Sequence, residues 1–302
     1  ENILFSSDPA IIRESKIIIV CVPTPVDKQN IPDLSHLTGA VKTIAENLSE
    51  GALIVIESTI FPGTTEELIL PILENGTNNL VGTDFFLAHC PERIDPGNEK
   101  YTIRNIPRIL GGITDKCTQK AFGFYQGLID TNVTTLETAK AAESTKVVEN
   151  IFRDVNIALV NELAMSFDTM GIDLLEVIKG ASTKPFAFMP HFPGCGVGGH
   201  CIPVDPYYLI DKSKSKGYFP KFLSMAREIN EKMPIYTIQR VTSALLESGR
   251  GFHGAKICVL GLSYKPDVED IRESPAFKII ELLEKENAIV DYYDPYVLEK
   301  ST

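Results

Sequence analysis

No Cys-x-x-Cys pair occurs among the six cysteines, which stand at 21, 90, 117, 195, 201 and 258 without regular spacing. No secretory leader precedes them, so they read as reduced thiols of a cytoplasmic protein, mostly small buried apolar groups, rather than as a disulfide framework. The sequons at Asn47, Asn75 and Asn132 are then chance matches. No apolar run reaches the ~18 residues of a membrane span, which argues against a membrane partner. Basic residues are in deficit: 29 Lys and Arg stand against 40 Asp and Glu, for a net charge of −11. That balance disfavours nucleic acid or an anionic membrane as partner, yet leaves room for an anionic small molecule in a locally basic pocket. No repeat of short period is present. The chain opens on Glu-Asn-Ile and stops at Ser-Thr just after a strand-like segment, and it is expected to be a fragment of a longer protein.

What is there is an ordinary globular composition, 44% hydrophobic and 23% charged over 302 residues, enough for two or three small domains. Residues 17–22, 52–58 and 85–90 are apolar runs that predict strands buried on both faces. Asp33 is placed to cap a helix over 34–48, and Pro62-Gly63-Thr64-Thr65 opens another. RILGG, a helix from about 114 and NVTTLE continue the alternation, which predicts a parallel sheet with helices on both faces. From 138 to 170 there is neither Gly nor Pro, and apolar residues recur at three and four residue steps: one long amphipathic helix. Helices at 173–180 and 220–247 follow, separated by a Pro/Gly-rich loop at 185–206. AKICVLGL, SPAFKIIELLEKE and AIVDYYDP then begin a second βαβ unit.

Several segments carry chemistry. Gly194 to Gly199 matches GxGxxG, but Phe192-Pro193 precede it and Cys201-Ile-Pro203 follow it. A dinucleotide fingerprint needs a strand before and a helix after. The glycines are better read as letting the backbone pass close to a ligand or to the Cys201 segment. Cys201, between glycines and Asp205, is either an exposed nucleophile or an inert loop cysteine. A zinc site from His89, Cys90, His200 and Cys201 lacks the usual ligand spacing. Glu143, Lys146 and Asn150 share one helix face, and an ammonium beside a carboxamide suits a developing oxyanion; a solvated face is the alternative. Val22-Pro23-Thr24-Pro25, Glu57-Ser58-Thr59 and Pro91-Glu92-Arg93 end three strands, where parallel sheets take ligands, or simply cap the next helices. Lys265 and Arg272 flank a loop fit to hold phosphates, or pair with Asp267, Glu269 and Asp270.

Six segments, in order, resemble the UDP-glucose/GDP-mannose dehydrogenase family of nucleotide-sugar 6-dehydrogenases: CVPTP (21–25), ESTIFPGTT (57–65), CPERIDPG (90–97), AESTKVVEN (142–150), PGCGVGGHCIPVDP (193–206) and GLSYKPDVEDIRESPA (261–276). The resemblance covers nearly the whole chain. It implies an α/β fold: a Rossmann-like NAD domain at 1–137 that lacks its first strands, a helical dimerisation domain at 138–250, and the start of a UDP-sugar domain at 251–302. The family's own GxGxxG and its ribose-binding acid are not found. Where enzymes for plain UDP-glucose carry a second Glu, this chain has Pro96. The PERxxPG form, with FRDVNIALVNELA and KPFAFMPHFPG, is more similar to enzymes for UDP-N-acetylhexosamines, and UDP-N-acetylglucosamine is favoured over the mannosamine epimer, with the galacto epimer as a further alternative.

The resemblance also implies roles. Cys201 forms a thiohemiacetal and then a thioester, Lys146 and Asn150 stabilise the oxyanion, and Asp205 and Glu92 handle protons and water. Val22, Pro23, Thr24, Thr59, Glu92 and Arg272 hold NAD. Arg93, Lys146, Asn150, Gly198, Arg227 and Lys265 hold the sugar nucleotide, Arg227 reaching the partner subunit's substrate. No metal is required, and a homodimer or a dimer of dimers is expected. The rivals are UDP-glucose or GDP-mannose oxidation, a single-step dehydrogenase of the 6-phosphogluconate type that needs no cysteine, a zinc-binding structural protein, and a non-catalytic dimerisation or nucleotide-sugar-binding module.

Overall fold

The computed structural model describes residues 3–27 and 29–297. The chain divides into two compact units, Glu1–Glu149 with Tyr207–Tyr218, and Asn150–Pro206 with Phe219–Thr302.

The first unit is built on a five-stranded sheet of order β1-β2-β3-β4-β5: Ile17–Val20, Leu53–Ile56, Phe86–His89, Arg108–Gly112 and Val133–Thr135. The first three strands are parallel, with Ile18 opposite Ile54 and Ile54 opposite Leu87. β4 departs from the expected parallel sheet and runs antiparallel to β3, pairing Ala88 with Gly112 and His89 with Gly111. The connection over 91–107 contains no helix, and without a helical crossover a neighbouring strand returns in the opposite sense.

Side-chain alternation splits the sheet's apolar residues between two layers. Val20, Ile54, Ile56 and Leu87 pack with Leu37, Val41 and Ile44 of α1 (Ser35–Asn47) and Leu73 of α2 (Leu70–Thr77). Leu53, Val55, Ala88, Cys90 and Leu110 pack with Ala121 and Tyr125 of α3 (Asp115–Gln126). Helices therefore cover both faces, as the alternation predicts. β1 is the exception to the expected double burial: Ile17 is 39% and Ile19 42% exposed, because only the Ile18/Val20 face is covered. Asp33 accepts the Ser35 N–H at 2.8 Å just ahead of α1. A π-helical turn, Thr65–Ile69, leads into α2.

α4 is one uninterrupted helix, Ala139–Met170. It begins in the first unit and continues into the second. There it is followed by α5 (Leu174–Ala181), started by the Asp173 cap, and later by α7 (Lys221–Glu247). Between them lies a helix absent from the sequence reading, α6 (Asp205–Ser215). Asp205 and Pro206 begin it in the second unit, and its remainder belongs to the first. β6 (Lys256–Leu260) and β7 (Ile289–Tyr293) are parallel, joined by α8 (Pro275–Lys285). Ser274 caps α8 and Pro275 opens it, a start signal legible in the sequence.

Candidate active site

In the first unit, the carboxyl ends of β1 and β2 are tied together by Thr24. Its hydroxyl donates to the Thr59 carbonyl at 2.7 Å, and its own carbonyl accepts the hydroxyl of the fully buried Tyr208 on α6. Val22 and Thr24 are half-buried and Pro23 is exposed, so this edge is fixed in shape yet open to a ligand. That suits the crevice where a doubly wound sheet takes a dinucleotide. Tyr208 was not singled out in the sequence, because its role depends on a contact 184 residues away.

Beside that edge lies a charged cluster. Glu92 accepts the backbone N–H groups of Arg93 and Ile94 on one oxygen, at 2.7 and 2.8 Å, and Arg108 Nη2 on the other, at 2.6 Å. Arg108 Nη1 also lies 3.6 Å from Glu57, which accepts the Tyr125 hydroxyl. Burial pulls the Arg108 pKa down, but Glu92 and Glu57 outweigh it and hold it above its ordinary value. Desolvation and the Glu57 carboxylate push the Cys21 thiol up to about 11. Burial pushes Cys90 up to about 12. Neither thiol is ionised at neutral pH. Arg93, expected to bind substrate, holds Glu149 through two nitrogens, at 2.6 and 3.3 Å, and the Pro107 carbonyl through the third, at 2.9 Å.

Glu143 anchors the start of α4. It is fully buried and accepts the Gly63 N–H at 2.5 Å, the Thr65 N–H at 2.8 Å and the Thr65 hydroxyl at 2.5 Å. Burial raises its pKa against those three bonds. Its oxygens serve the 63–65 turn rather than Lys146. Lys146 is half-buried one turn further on and pairs with no carboxylate among the described residues. Asn150 follows at the next turn of the same face.

In the second unit, Asn150 Nδ2 donates to Asp205 at 2.5 Å, with both residues buried. Asp205 also gives its backbone N–H to the Cys201 carbonyl at 2.8 Å, and Val204 does so at 3.1 Å. Cys201 therefore stands on the turn that opens α6. The signal for α6 was present: Asp205-Pro206 at its head, Lys212 and Lys214 in its last turn and Gly217 beyond.

The glycines before Cys201 serve packing. A Cβ at Gly198 would lie 2.6 Å from Tyr264 Cβ and 2.9 Å from the Glu273 carbonyl. At Gly199, whose φ is +82°, it would lie 2.9 Å from the Tyr264 ring. Gly199 also donates to the Arg272 carbonyl at 3.0 Å. The close approach is to the 264–273 loop, not to the Cys201 segment. At the other end of the stretch, Gly194 N–H donates to Asn161 at 2.9 Å. Asn161 continues through Asn230 to Asp154, which pairs with Arg227 at 2.6 Å. Burial raises Asp154's pKa despite that partner. Arg227, Asn230, Gly196, Ser274 and Lys278 line a cavity of about 310 Å³. Arg272 is exposed and gripped by Asp270 at 2.6 and 2.9 Å, the pairing weighed above as its alternative. Lys265 is half-buried in the same loop. Among the described residues, no three His, Cys, Asp or Glu side chains gather as a metal site.

Three domain models of the UDP-glucose/GDP-mannose dehydrogenase family match in chain order: the NAD binding domain over 1–129, the central domain over 140–232 and the UDP binding domain over 258–302. The UDP-N-acetyl-D-glucosamine 6-dehydrogenase of Pseudomonas aeruginosa is 38% identical over 286 residues, 95% of this chain and 67% of that protein. The UDP-N-acetyl-D-mannosamine dehydrogenase of Pyrococcus horikoshii is 41% identical over 286 residues, with the same coverage of 95% and 67%. A solved structure of the UDP-D-ManNAc dehydrogenase of Pyrococcus horikoshii superposes with a TM-score of 0.91 at 40% identity, covering 97% of this chain and 68% of that one. The chain spans about two thirds of the length of these relatives.

Proposed function

This chain belongs to the UDP-glucose/GDP-mannose dehydrogenase family of NAD-dependent nucleotide-sugar oxidoreductases, and we propose that the full-length protein oxidises the C6 hydroxyl of a UDP-N-acetylhexosamine to a carboxylate. We take UDP-N-acetyl-D-glucosamine as the preferred epimer. Relatives named for the two epimers are about equally similar, and turnover of both substrates side by side decides between them. We assign residues 1–137 to the NAD domain, 138–250 to the helical domain and 251–302 to the sugar-nucleotide domain.

One arrangement carries the reading. Asp205 holds the Cys201 carbonyl with its N–H and the Asn150 amide with its carboxylate, which supports a nucleophile, a proton acceptor and an oxyanion donor acting together. NAD, when bound by Val22, Pro23, Thr24, Thr59, Glu92 and Arg272, supplies the hydride acceptor for both oxidations, alcohol to aldehyde and thiohemiacetal to thioester. Asp205, directly or through a water held by Lys146, takes the hydroxyl proton. The Cys201 thiolate adds to the aldehyde carbon, so the aldehyde never leaves, and Lys146 and Asn150 donate to the resulting oxyanion. Water then adds to the thioester carbonyl, the C–S bond breaks, Cys201 leaves as thiolate, and Glu92 or Asp205 receives the water proton. Arg93, Gly198, Arg227 and Lys265 complete the sugar-nucleotide contacts.

We also propose a cytoplasmic homodimer, or dimer of dimers. No disulfide joins the six cysteines, and no helix among the described residues is long and apolar enough to cross a membrane. Val148, Phe152 and Leu159 leave an exposed apolar stripe along α4, 57%, 46% and 52% exposed, that fits a second copy. The test of the substrate class is a panel of UDP-hexoses and UDP-N-acetylhexosamines assayed with the full-length protein. Turnover confined to plain UDP-glucose overturns the assignment.

A further inference from the structure

We propose that Arg108 is a positioning residue that holds Glu92 in one orientation for hydrolysis of the Cys201 thioester. The proposal rests on the reading of Glu92 as a group that serves that step. Arg108 itself is assigned no role by the sequence motifs.

The topology brings it there. β4 runs antiparallel to β3, with His89 opposite Gly111. Continuing that register beyond the ladder sets Arg108 level with Glu92, so the first residue of β4 arrives where the parallel strands end. Its side chain is only 4% exposed, whereas that of Glu92 is 31% exposed. A buried cation thus backs a carboxylate that reaches the surface.

A buried guanidinium is expensive unless it is compensated. Here two carboxylates and an aromatic ring surround it: Glu92 at 2.6 Å, Glu57 at 3.6 Å and the Tyr125 ring centroid at 5.6 Å. Its Nε and Nη1 have no hydrogen-bond partner among the described residues. Its one strong hydrogen bond goes to Glu92. That bond and the two from Arg93 and Ile94 N–H occupy three of the carboxylate's roughly four lone-pair sites. Glu92 is left with a single direction in which to accept a hydrogen bond from water. A water held there adds through its oxygen to the thioester carbonyl carbon, the C–S bond breaks, and the sulfur leaves as the Cys201 thiolate. The water protons pass through Glu92 to solvent, and no oxidant or reductant is consumed.

The test uses the full-length protein with sugar nucleotide and NAD, quenched at intervals, with the acyl group on Cys201 followed by mass spectrometry and NADH by absorbance. Glu92→Gln and Arg108→Met are each expected to slow decay of the acyl-enzyme by about 10²-fold or more, and in Arg108→Met, at saturating NAD, formation of NADH before it changes less than about threefold. Arg108→Lys keeps the charge but not the fork, and it should restore part of the rate. Arg108→Met should add nothing in the Glu92→Gln background. If Arg108→Met fails to fold, Arg108→Lys carries the test, and wild-type decay in it overturns the proposal. Additive slowing, or equal slowing of NADH formation, also overturns it. Slow decay in Glu92→Gln with normal decay in Arg108→Met removes Arg108 alone. Normal decay in Glu92→Gln removes the Glu92 reading, and the proposal with it.

Discussion

Asn150 donates its amide to the Asp205 carboxylate at 2.5 Å, joining α4 to the head of α6 across 55 residues of sequence. The sequence motif gave Asn150 one task, donation to an oxyanion. The bond to Asp205 adds a second, fixing the proposed base. Asn150→Ala is therefore expected to lower kcat by at least the 10²–10³-fold typical of one lost oxyanion donor. A loss below about tenfold, measured at saturating substrate, contradicts this.

Asn150→Asp separates position from charge. It sets a second carboxylate against Asp205, and two such groups cannot both stay ionised. Protonation of one relieves the conflict, so the variant's stability is retained at low pH and lost as pH rises. Its melting temperature should fall well below wild type at pH 8 and approach it at pH 5. A constant gap contradicts the contact.

Lys146 should tune the thiol, whereas Asn150 should not. On the proposed mechanism, Lys146→Ala is expected to slow iodoacetamide alkylation of Cys201 at neutral pH, because an ammonium acting on the thiol favours the thiolate. Peptide mapping separates the half-buried Cys201 from Cys21, Cys195 and Cys258, which are exposed. Equal rates in Lys146→Ala and Asn150→Ala reduce Lys146 to an oxyanion donor.

His89 predicts an acid-limb effect. It is fully buried on β3, neither ring nitrogen has a partner among the described residues, and burial pushes its pKa down to about 3. The unfolded chain takes up this proton near pH 6.5, and the folded chain does not until about pH 3. Stability is thus unaffected above pH 6.5 and falls by about 1.4 kcal/mol per pH unit below it. His89→Leu should remove one proton's worth of slope from ΔG of unfolding between pH 6 and 4. An unchanged slope means that His89 is protonated in the folded state.

The stripe on α4 yields a solution test. Phe152→Glu with Leu159→Glu should convert the full-length protein to monomer at micromolar concentration, by sedimentation equilibrium. Persistence of the dimer places the interface elsewhere.

Much of this was legible in the sequence for physical reasons. The β2 and β3 runs read as strands to within about two residues because both layers bury them, and α4 read correctly because no Pro interrupts its period. Strand direction leaves no trace in side-chain period; the helix-poor 91–107 stretch was the only sign that β4 reverses. α6 was passed over although Asp205-Pro206 marks its start, because it is short and carries little apolar periodicity. The Glu143, Tyr208 and Arg108 contacts join distant segments, and only an Arg leading a buried strand hinted at the last.

The count of NADH formed per sugar nucleotide, compared between wild type and Cys201→Ser, tests the central claim most directly. Covalent four-electron oxidation predicts two NADH per UDP-N-acetylhexosamine with uronate released by the wild type. It predicts at most one in the variant, with the sugar retained as aldehyde or oxygen ester, because a serine alkoxide is far less accessible than a thiolate. One NADH per sugar in the wild type, or two at the normal rate in Cys201→Ser, contradicts it.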